Sequence, residues 1–429
     1  MTTVPVTSHS APGPGLGTGL RSRHLVWTAA CYDLTLAVMI IVAGSQGTYR
    51  FAPPLLLWLA IYIMLTLKFV TRLHTLFDAL RQNIAILAFP VVAALSTVWS
   101  VAPGASAYAA MQLFMTYMAG FWIGWRYRPK DIAIIVLLAL SPLIFLSLVN
   151  WATGVFGEVY SYSGGLLGVF NHKNILGRMS LLLGIVAIAL LASRPSRFTG
   201  AVFPGCVLVL SGCALFLSKS ATSTIVMLSA TVVFVALTQR RYSNSVRLLM
   251  LGLGILAVAA VIVSIGSGGF DPIQDTLGTF GKSSTLTGRT KLWDFGVQEV
   301  SRQPWLGVGF KAYWDNGTSL AVDHIRRSFT DSIFSFHNFI LDIWLYLGIP
   351  GLIAISITLT AIGASFVRYY VLSSEVWPAM ALTLLFAGIG VAFFNPLLHG
   401  QHGNVIVILV ALAVSAKIET ARLTIRRPV

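Results

Sequence analysis

The chain has 429 residues, of which 56% are hydrophobic and only 10% are charged. Soluble domains carry about 25% charged residues, so this composition excludes a single soluble core and predicts a polytopic membrane protein. The formal charge of +15 is typical of basic loops that face the cytoplasm and anionic lipid. Nucleic-acid binding is disfavoured, because no basic soluble domain is present.

Residues 1–25 are rich in Ser, Thr, Pro and Gly, which predicts a disordered tail. Beyond it, the apolar segments are long enough to cross a bilayer, and we therefore predict an all-α membrane protein with about twelve transmembrane helices. Three cysteines in these segments, Cys31, Cys206 and Cys213, are predicted to be small buried side chains outside any disulfide or metal site. The predicted spans lie near 26–44, 51–70, 83–99, 105–125, 131–152, 174–193, 200–218, 221–239, 246–264, 349–371, 376–394 and 404–420.

Basic residues mark alternate loops, which by the positive-inside rule are cytoplasmic, so the N-terminus is predicted to be cytoplasmic. Segment 335–347 decides the topology of the remainder. If it spans the bilayer, the basic C-terminus lies outside. If it is a short or re-entrant helix at the outer face, the C-terminus lies inside. We favour the second interpretation because the segment is too short for an ordinary span.

One long polar segment, residues 265–334, follows the ninth predicted span. It holds seven acidic and seven basic residues, so it is neutral and escapes the positive-inside bias. Its stretch from Arg289 to Arg302 has the apolar stripe of a helix. Long loops with structure of their own are usually functional. The predicted regions are a cytoplasmic tail (1–25), transmembrane helices 1–9 (26–264), a periplasmic loop with short helices that bears site residues (265–348), and transmembrane helices 10–12 with a basic cytoplasmic C-terminus (349–429).

The first candidate site is His337-Asn338, which lies between the long loop and a very apolar helix. Histidine titrates near neutrality, so His337 at a membrane edge is a candidate proton acceptor. A structural histidine that only bonds a loop carbonyl is the alternative.

The second candidate is Arg289, in Thr-Gly-Arg-Thr-Lys-Leu-Trp (287–293). The guanidinium group is a planar fork of donors that suits phosphate. Thr287 or Gly288 is expected to begin a helix, whose N-terminus adds backbone donors for an anion. A solvated loop arginine is the alternative.

The third candidate is the stretch 168–178, where His172, Lys173 and Asn174 crowd the outer mouth of a predicted span. Arg178 lies about one turn deeper than Asn174. A charge inside the hydrocarbon costs about 3 kcal/mol on insertion scales and indicates a functional site. Snorkelling of Arg178 to the interface is the alternative.

The fourth candidate is Lys219, in the external turn Ser-Lys-Ser-Ala-Thr-Ser-Thr (218–224). This turn either donates to a phosphate or forms a capped helical hairpin. The external segments contain no paired acids for a divalent metal, and the chain contains no nucleotide-binding glycine motif. We therefore expect neither a metal nor a cofactor.

These motifs resemble the O-antigen ligase and polysaccharide polymerase superfamily. Its signature is a histidine and a small polar residue, nine residues, then Gly-x-x-Gly and an aliphatic residue. Here His337-Asn338 is followed after nine residues by Gly348-Ile349-Pro350-Gly351-Leu352. The stretches 168–177, 218–223, 287–293 and 304–310 resemble the exopolysaccharide-production polymerase branch more than the ligase branch, and the resemblance covers roughly residues 160–370.

The resemblance implies a metal-independent inverting glycosyltransferase with a GT-C-like architecture. Its donor is a polyprenyl-pyrophosphate-linked oligosaccharide at the periplasmic face of the bacterial inner membrane. Mapped onto this chain, His337 is the catalytic base and Arg289 binds the pyrophosphate. The remaining candidates, Arg178, Lys173, Asn338, His172 and Lys219, are assigned to substrate binding. Expected partners are the lipid bilayer, a flippase and chain-length regulators.

We therefore predict a polymerase that joins lipid-linked repeat units into exopolysaccharide or O-antigen-type chains. One alternative is an O-antigen ligase that transfers a finished chain to lipid A core. Another alternative is a twelve-span transporter, although transporters place ions near the midplane and the polar residues here cluster at the outer mouth. A membrane scaffold is a third, which would need neither His337 nor Arg289.

Overall fold

The part of the protein described by a computed structural model consists mainly of α-helices joined by loops. The structure describes residues 16–71, 73–161, 164–193, 198–239, 284–315, 335–395 and 397–425, with positions 243, 245–246, 252, 322–323 and 327 between them. Within these residues the extended structure is limited to a single antiparallel bridge, between Tyr160 and Leu166. The all-α prediction is therefore confirmed for the described chain.

Fourteen α-helices are described, and two of them, α10 and α11, lie inside the predicted external loop. Helix α4 is flanked by 3₁₀ turns at Ile84–Leu87 and Ser96–Val98. The helices are α1 (Leu16–Gly44), α2 (Pro54–Val70), α3 (Leu73–Gln82), α4 (Ala88–Leu95), α5 (Pro103–Arg126), α6 (Pro129–Thr153), α7 (Lys173–Ala192), α8 (Phe198–Ser218), α9 (Ala221–Thr238), α10 (Ser284–Arg302), α11 (Ala312–Asp315), α12 (Phe339–Leu372), α13 (Trp377–Ala392) and α14 (Asn404–Ile425).

The predicted number of about twelve membrane spans is only partly tested by the described helices. Among the described helices, six are long and apolar enough to cross a bilayer by length and composition, and four shorter apolar helices accompany them. The protein is thus a multi-pass membrane protein, but twelve spans are not confirmed. The predicted span 246–264 lies outside the described residues, apart from positions 246 and 252, and the predicted span 83–99 is a short helix between two 3₁₀ turns.

Two helices begin earlier than the sequence indicates. Helix α1 begins at Leu16, inside the stretch predicted as a disordered tail. Helix α10 begins at Ser284, so neither Thr287 nor Gly288 opens it. The expected anion site at a helix start beside Arg289 is therefore absent from that position.

The predicted burial of the cysteines is wrong, since Cys31, Cys206 and Cys213 are free cysteines exposed on the protein surface. A transmembrane helix turns apolar residues toward lipid as well as toward other helices. An apolar neighbourhood in the sequence therefore does not identify the buried face.

The centre of the bundle is α14, which packs against α5 through small residues. A Cβ atom on Gly124 would lie 2.3 Å from the Ala411 carbonyl oxygen, and one on Gly120 would lie 2.9 Å from the Val407 carbonyl oxygen. Close helix contact of this kind is the usual way that membrane helices associate, because packing replaces the hydrophobic effect there.

Ion pairs gather at the end of the bundle that was predicted to be cytoplasmic. Asp33 of α1 accepts from Lys68 Nζ at 2.6 Å and from Arg126 Nε at 2.8 Å. Glu419 of α14 lies 3.6 Å from Arg128 Nε and also pairs with Arg422. Each acid thus meets two cations, which leaves this end positive.

At the opposite end, the segment 305–310 lies across the loop between α4 and α5. The Val101 amide donates to the Val308 carbonyl at 3.0 Å, and the Trp99 Nε1 group donates to the Leu306 carbonyl at 2.9 Å. A Cβ atom on Gly309 would lie 2.2 Å from Ser100 Oγ, so the close approach requires glycine.

Helix α12 is interrupted at Gly348, where φ is 61° and ψ is −153°. Pro350 follows two residues later and has no N–H group, so the Tyr346 carbonyl has no helical donor. A Cβ atom on Gly348 would lie 2.1 Å from the Trp305 carbonyl oxygen. The Gly-x-Pro-Gly signature is therefore a break in the helix at which the 305–309 segment is pressed against the backbone.

The same segment satisfies the backbone groups that this break leaves open, as buried amides and carbonyls require. The carbonyls of Leu345 and Tyr346 accept hydrogen bonds from amides of this segment, and a carbonyl of the segment accepts one from the amide of Ile349. The bonds are Val308 N to Leu345 O (3.0 Å), Gly309 N to Tyr346 O (2.9 Å) and Ile349 N to Trp305 O (3.1 Å).

Candidate functional site

The mouth of α7 begins with His172, which is the N-cap of the helix. Its Nδ1 atom accepts from the Asn174 amide at 3.1 Å. An accepting Nδ1 requires a neutral ring with the proton on Nε2. His172 itself is exposed at the helix mouth.

Lys173 is the first residue of α7, and only 8% of it is exposed. A Cβ atom on Gly165 would lie 2.6 Å from Lys173 Cδ and 2.3 Å from the Ser218 carbonyl oxygen. The lysine stem therefore crosses the Gly165 backbone where that backbone touches the α8–α9 turn. We call residues 164–178 and 218–220 the cationic mouth.

Lys219 belongs to the same unit. Its Nζ atom lies 3.8 Å from the Cβ position of Gly164, and Leu166 N donates to Leu217 O at 2.9 Å. Gly177 of α7 packs on Ser220, where an added Cβ atom would lie 2.6 Å from the serine Cβ atom. The structure thus brings the third and fourth sequence candidates into one place.

Arg178 lies in the second turn of α7 and is half-buried. Its Nε atom is inaccessible to solvent and has no hydrogen-bond partner among the described residues. Arg178 also forms no ion pair within that part of the chain. An arginine in an apolar helix without a carboxylate is costly, and such a cost is usually retained for a bound anion.

Arg50 fixes the loop that precedes α7, and sequence reasoning missed it. Its Nη1 atom donates to the carbonyls of Phe156 (3.0 Å), Glu158 (3.3 Å) and Gly168 (3.3 Å). The Asn150 side chain donates to the same Gly168 carbonyl at 3.2 Å. Arg50 therefore holds a loop in shape, a role that leaves no trace in local sequence patterns.

His337 lies in a tight turn before α12, with a φ of 54°. Its amide donates to Ser335 Oγ at 2.8 Å. The next residue, Asn338, is the N-cap of α12, and its Oδ1 atom accepts from Ile340 N at 3.0 Å and Leu341 N at 3.3 Å. Asn338 is thus a helix cap, and we call residues 335–338 the histidine turn.

Helix α10 lies against the histidine turn. Trp293 Nε1 donates to the Phe336 carbonyl at 3.0 Å, and a Cβ atom on Gly296 would lie 3.2 Å from the Phe336 ring. Arg289 lies four residues before Trp293 and so occupies the same face of α10. Its side chain lies outside the described residues, and the helical register alone places Arg289 one turn from the contact with Phe336.

A buried polar cluster that sequence reasoning missed lies behind the histidine turn. Asp342 and His399 are both fully buried, and Asp342 Oδ2 lies 3.7 Å from His399 Nε2. Burial, together with the positive charge of Lys311, lowers the pKa of His399 well below its usual value. Lys311 lies over the Tyr346 ring, with Nζ 5.3 Å from its centroid. His399 is therefore neutral at physiological pH.

His402 forms a second cluster on the same α13–α14 loop. Its ring stacks on Trp58 with centroids 4.1 Å apart, and it also pairs with the Tyr62 hydroxyl. The His402 amide donates to Thr116 Oγ1 at 2.9 Å. Burial lowers the pKa of His402 to about 4.

Lys219, His337 and His402, which lie in these turns, share an unusual backbone conformation. Five described residues other than glycine have a positive φ, and all five are polar. They are Gln46, Lys219, Lys311, His337 and His402. A left-handed backbone costs a side-chain-bearing residue about 1–2 kcal/mol, and such positions gather at functional sites.

The loop that bears His399 and His402 (residues 393–404) links α12, which follows the histidine turn, with α7, which bears Arg178. Phe393 packs on Phe339 of α12 with ring centroids 5.4 Å apart. At the other end of the segment, Asn404 lies against Gly44 and contacts Met179, one residue beyond Arg178. The structure thus brings His172, Lys173, Arg178 and Lys219 together in one unit and His337 with Asn338 in another.

Comparison with known proteins gives two matches. The O-antigen ligase family matches residues 206–356, a region that includes Lys219, Arg289, His337 and Asn338. The chain is also 30% identical over 286 residues to the exopolysaccharide production protein ExoQ of Rhizobium meliloti (strain 1021). That match covers 64% of this chain and 63% of the relative. The matches confirm the resemblance to the superfamily and to its exopolysaccharide-production branch.

Proposed function

Starting from a multi-pass membrane protein related to the O-antigen ligase and polysaccharide polymerase superfamily, we propose that this chain is a polysaccharide polymerase. It joins polyprenyl-pyrophosphate-linked oligosaccharide repeat units into exopolysaccharide or O-antigen-type chains. The observation that carries the proposal is the 30% identity to an exopolysaccharide production protein. The reaction takes place at the periplasmic face of a bacterial inner membrane.

The proposed reaction divides its work between a base and cations. The acceptor hydroxyl attacks the anomeric carbon of the donor sugar from the face opposite the pyrophosphate, with inversion. The bond from that carbon to the phosphate oxygen breaks, and polyprenyl pyrophosphate leaves with the electron pair. His337 takes the acceptor proton, since an imidazole is a suitable base near neutral pH.

The cations bind the leaving group, whose charge grows as the bond breaks. Arg289 is the first pyrophosphate ligand, because guanidinium binds phosphate oxygens in pairs. The cationic mouth, with Lys173, Arg178 and Lys219, adds fixed positive charge, which acts strongly where water is excluded. His172 and Asn338 cap the two helices and present them to the substrate. No metal enters this mechanism, and chelation is expected to leave synthesis unchanged.

Polymerase and ligase are distinguished by the lipid-linked intermediates of a strain that lacks the protein. A polymerase defect leaves single repeat units on the lipid carrier, whereas a ligase defect leaves long chains. Accumulation of long chains would contradict the polymerase assignment. A transporter would leave polymer synthesis from supplied donor lipid intact.

Sidedness has its own test. Cysteine introduced at Ser284 should react with a membrane-impermeant reagent from the periplasm, and cysteine at Ser243 should react only from the cytoplasm. Labelling of position 284 only from the cytoplasm would contradict a periplasmic site.

A further inference from the structure

Asp342 is a fully buried carboxylate in the first turn of α12. A buried charge is stable only with hydrogen-bond partners. Oδ2 of Asp342 accepts from Ser335 Oγ at 2.7 Å, and Oδ1 accepts from the Phe336 amide at 2.9 Å. Both oxygens of the carboxylate are therefore bonded to the histidine turn.

The bonds continue from Ser335 to His337. A hydroxyl has one hydrogen and two acceptor positions. Ser335 gives its hydrogen to Asp342 and accepts the His337 amide at 2.8 Å. The direction of this chain is fixed, because a carboxylate accepts only, and hydrogen bonds to a carboxylate are short and strong.

This arrangement exceeds what helix capping requires. Asn338 already accepts from the amides of Ile340 and Leu341 at the start of α12. Asp342 bonds instead to residues before the cap, including the residue that precedes His337. His337 has a left-handed backbone, which is unfavourable for a residue with a side chain, and the bonds from Asp342 and Ser335 hold the turn in that conformation.

His399 closes the other side of the carboxylate. Its ring belongs to the 393–404 segment, lies 3.7 Å from Asp342 Oδ2 and is fully buried. Tyr346 packs beside it with ring centroids 6.1 Å apart. The carboxylate is thus enclosed between the histidine turn and the α13–α14 loop, and solvent cannot replace its bonds.

We propose that Asp342 is a positioning residue, whose carboxylate holds Ser335 and Phe336 and, through the Ser335 hydroxyl, fixes the backbone of His337. The imidazole is thereby held in one place for the acceptor hydroxyl. This inference rests on the proposed function for its catalytic consequence. We call the hydrogen bonds from Asp342 to Ser335 and Phe336, and from Ser335 to His337, the clamp. The clamp is a property of the fold and is measurable without turnover.

The test compares Ser335→Ala with Ser335→Thr and Asp342→Asn in the full chain in nanodiscs. Ser335→Ala removes the link between the carboxylate and the His337 amide, and Ser335→Thr keeps the hydroxyl. Asp33→Asn is the matched control, because Asp33 also has two partners but lies at the other end of the bundle.

Three quantities are measured for each variant: kcat, KM for donor lipid, and hydrogen exchange of the peptide containing residues 336–337. Misplacement by about 1 Å costs on the order of 100-fold in rate. Ser335→Ala and Asp342→Asn should therefore lower kcat 10- to 100-fold with KM unchanged, and exchange at 336–337 should rise. Ser335→Thr should recover most of the rate, and Asp33→Asn should change neither kcat nor this exchange.

Unchanged exchange and kcat in Ser335→Ala would overturn the proposal. The proposal is also overturned if Asp33→Asn lowers kcat as much as Ser335→Ala and Asp342→Asn do, with an equal loss of thermal stability. The bonds of Asp342 would then support the fold in general and would have no specific effect on His337. If exchange rises in both clamp variants while the unmodified protein makes no polymer from donor lipid, the clamp stands and the proposed function fails.

Discussion

Arg178 in the cationic mouth and Asp342 behind the histidine turn differ in how their charged groups are satisfied within the described residues. Asp342, behind the histidine turn, uses both carboxylate oxygens on its own chain. In the cationic mouth, Arg178 has a buried Nε atom that no described residue accepts from. A group that is satisfied internally holds geometry, whereas a cation left without an anion is suited to meet one from outside. The two regions thus suit a positioning role and a binding role.

The largest expected effect separates these two roles directly. His337→Gln should lower transfer by 100-fold or more while donor lipid still binds, because glutamine keeps a hydrogen-bonding group but is not a base. Arg289→Ala should lose donor binding, and Arg289→Lys should recover only part of it because lysine lacks the fork. Polymer synthesis and donor-lipid binding are measured side by side in membranes.

A native rate in His337→Gln would show that His337 is structural. The base would then be sought at His172 or His324. The second of these lies outside the described residues.

The next effect tests whether the histidine turn depends on the break in α12. Gly348→Ala places a Cβ atom 2.1 Å from the Trp305 carbonyl oxygen on a backbone with φ 61°. Overpacking and a left-handed backbone together should cost about 3 kcal/mol. The thermal midpoint in detergent and the activity should both fall.

Gly363→Ala on the same helix is the control, since its new Cβ atom would meet only the end of Leu385 at 3.4 Å. Equal midpoints for the two variants would mean that the break tolerates a side chain.

A smaller effect concerns the cationic mouth, where binding and stability should move in opposite directions. Arg178→Met removes a charge that has no ion-pair partner among the described residues, so the thermal midpoint should stay level or rise. Donor affinity should fall about tenfold, as the loss of one phosphate contact at about 1.4 kcal/mol implies. Arg126→Met at the other end breaks an ion pair with Asp33 and should lower the midpoint without changing affinity. A lower midpoint in Arg178→Met would indicate a structural arginine.

The smallest expected effect is the pH dependence of stability that arises from His402, in the loop between α13 and α14. The folded protein favours neutral His402, with a pKa of about 4, whereas an unfolded histidine titrates near 6.5. The unfolded chain therefore binds the proton first on acidification. Stability should be full above pH 6.5 and decline as the pH falls toward 4, with neutral His399 acting in the same direction.

Thermal unfolding across this pH range measures the decline. His402→Asn, which tolerates the left-handed backbone and does not titrate, should flatten it. An equally steep decline in that variant would assign the acid sensitivity to other groups.

Local patterns in the sequence predict much of this fold, because apolar runs and helix caps are local properties. Eleven of the twelve predicted spans coincide with described helices, and His337-Asn338 was recognised from the spacing of one motif. The cysteines were misassigned because an apolar run does not show which side faces lipid.

Long-range contacts were beyond the reach of such patterns. Arg50 bonds to carbonyls more than 100 residues away, and His399 meets Asp342 only through the folding of α13 and α14. The 393–404 loop contains two histidines in a short Gly-rich stretch, which was the available signal for this part of the site.

The bonds between 305–309 and the interrupted helix limit how this protein can be recombined with its relatives. The loop supplies donors that Pro350 cannot, and the backbone of α12 lies so close to Gly307 that a side chain there would clash. A chimera that takes the segment 303–311 from one parent and 339–351 from another joins two surfaces that come from different proteins and were never in contact with each other. Crossovers placed before residue 303 and after residue 351 keep the two segments together, so a functional chimera should carry both from one parent.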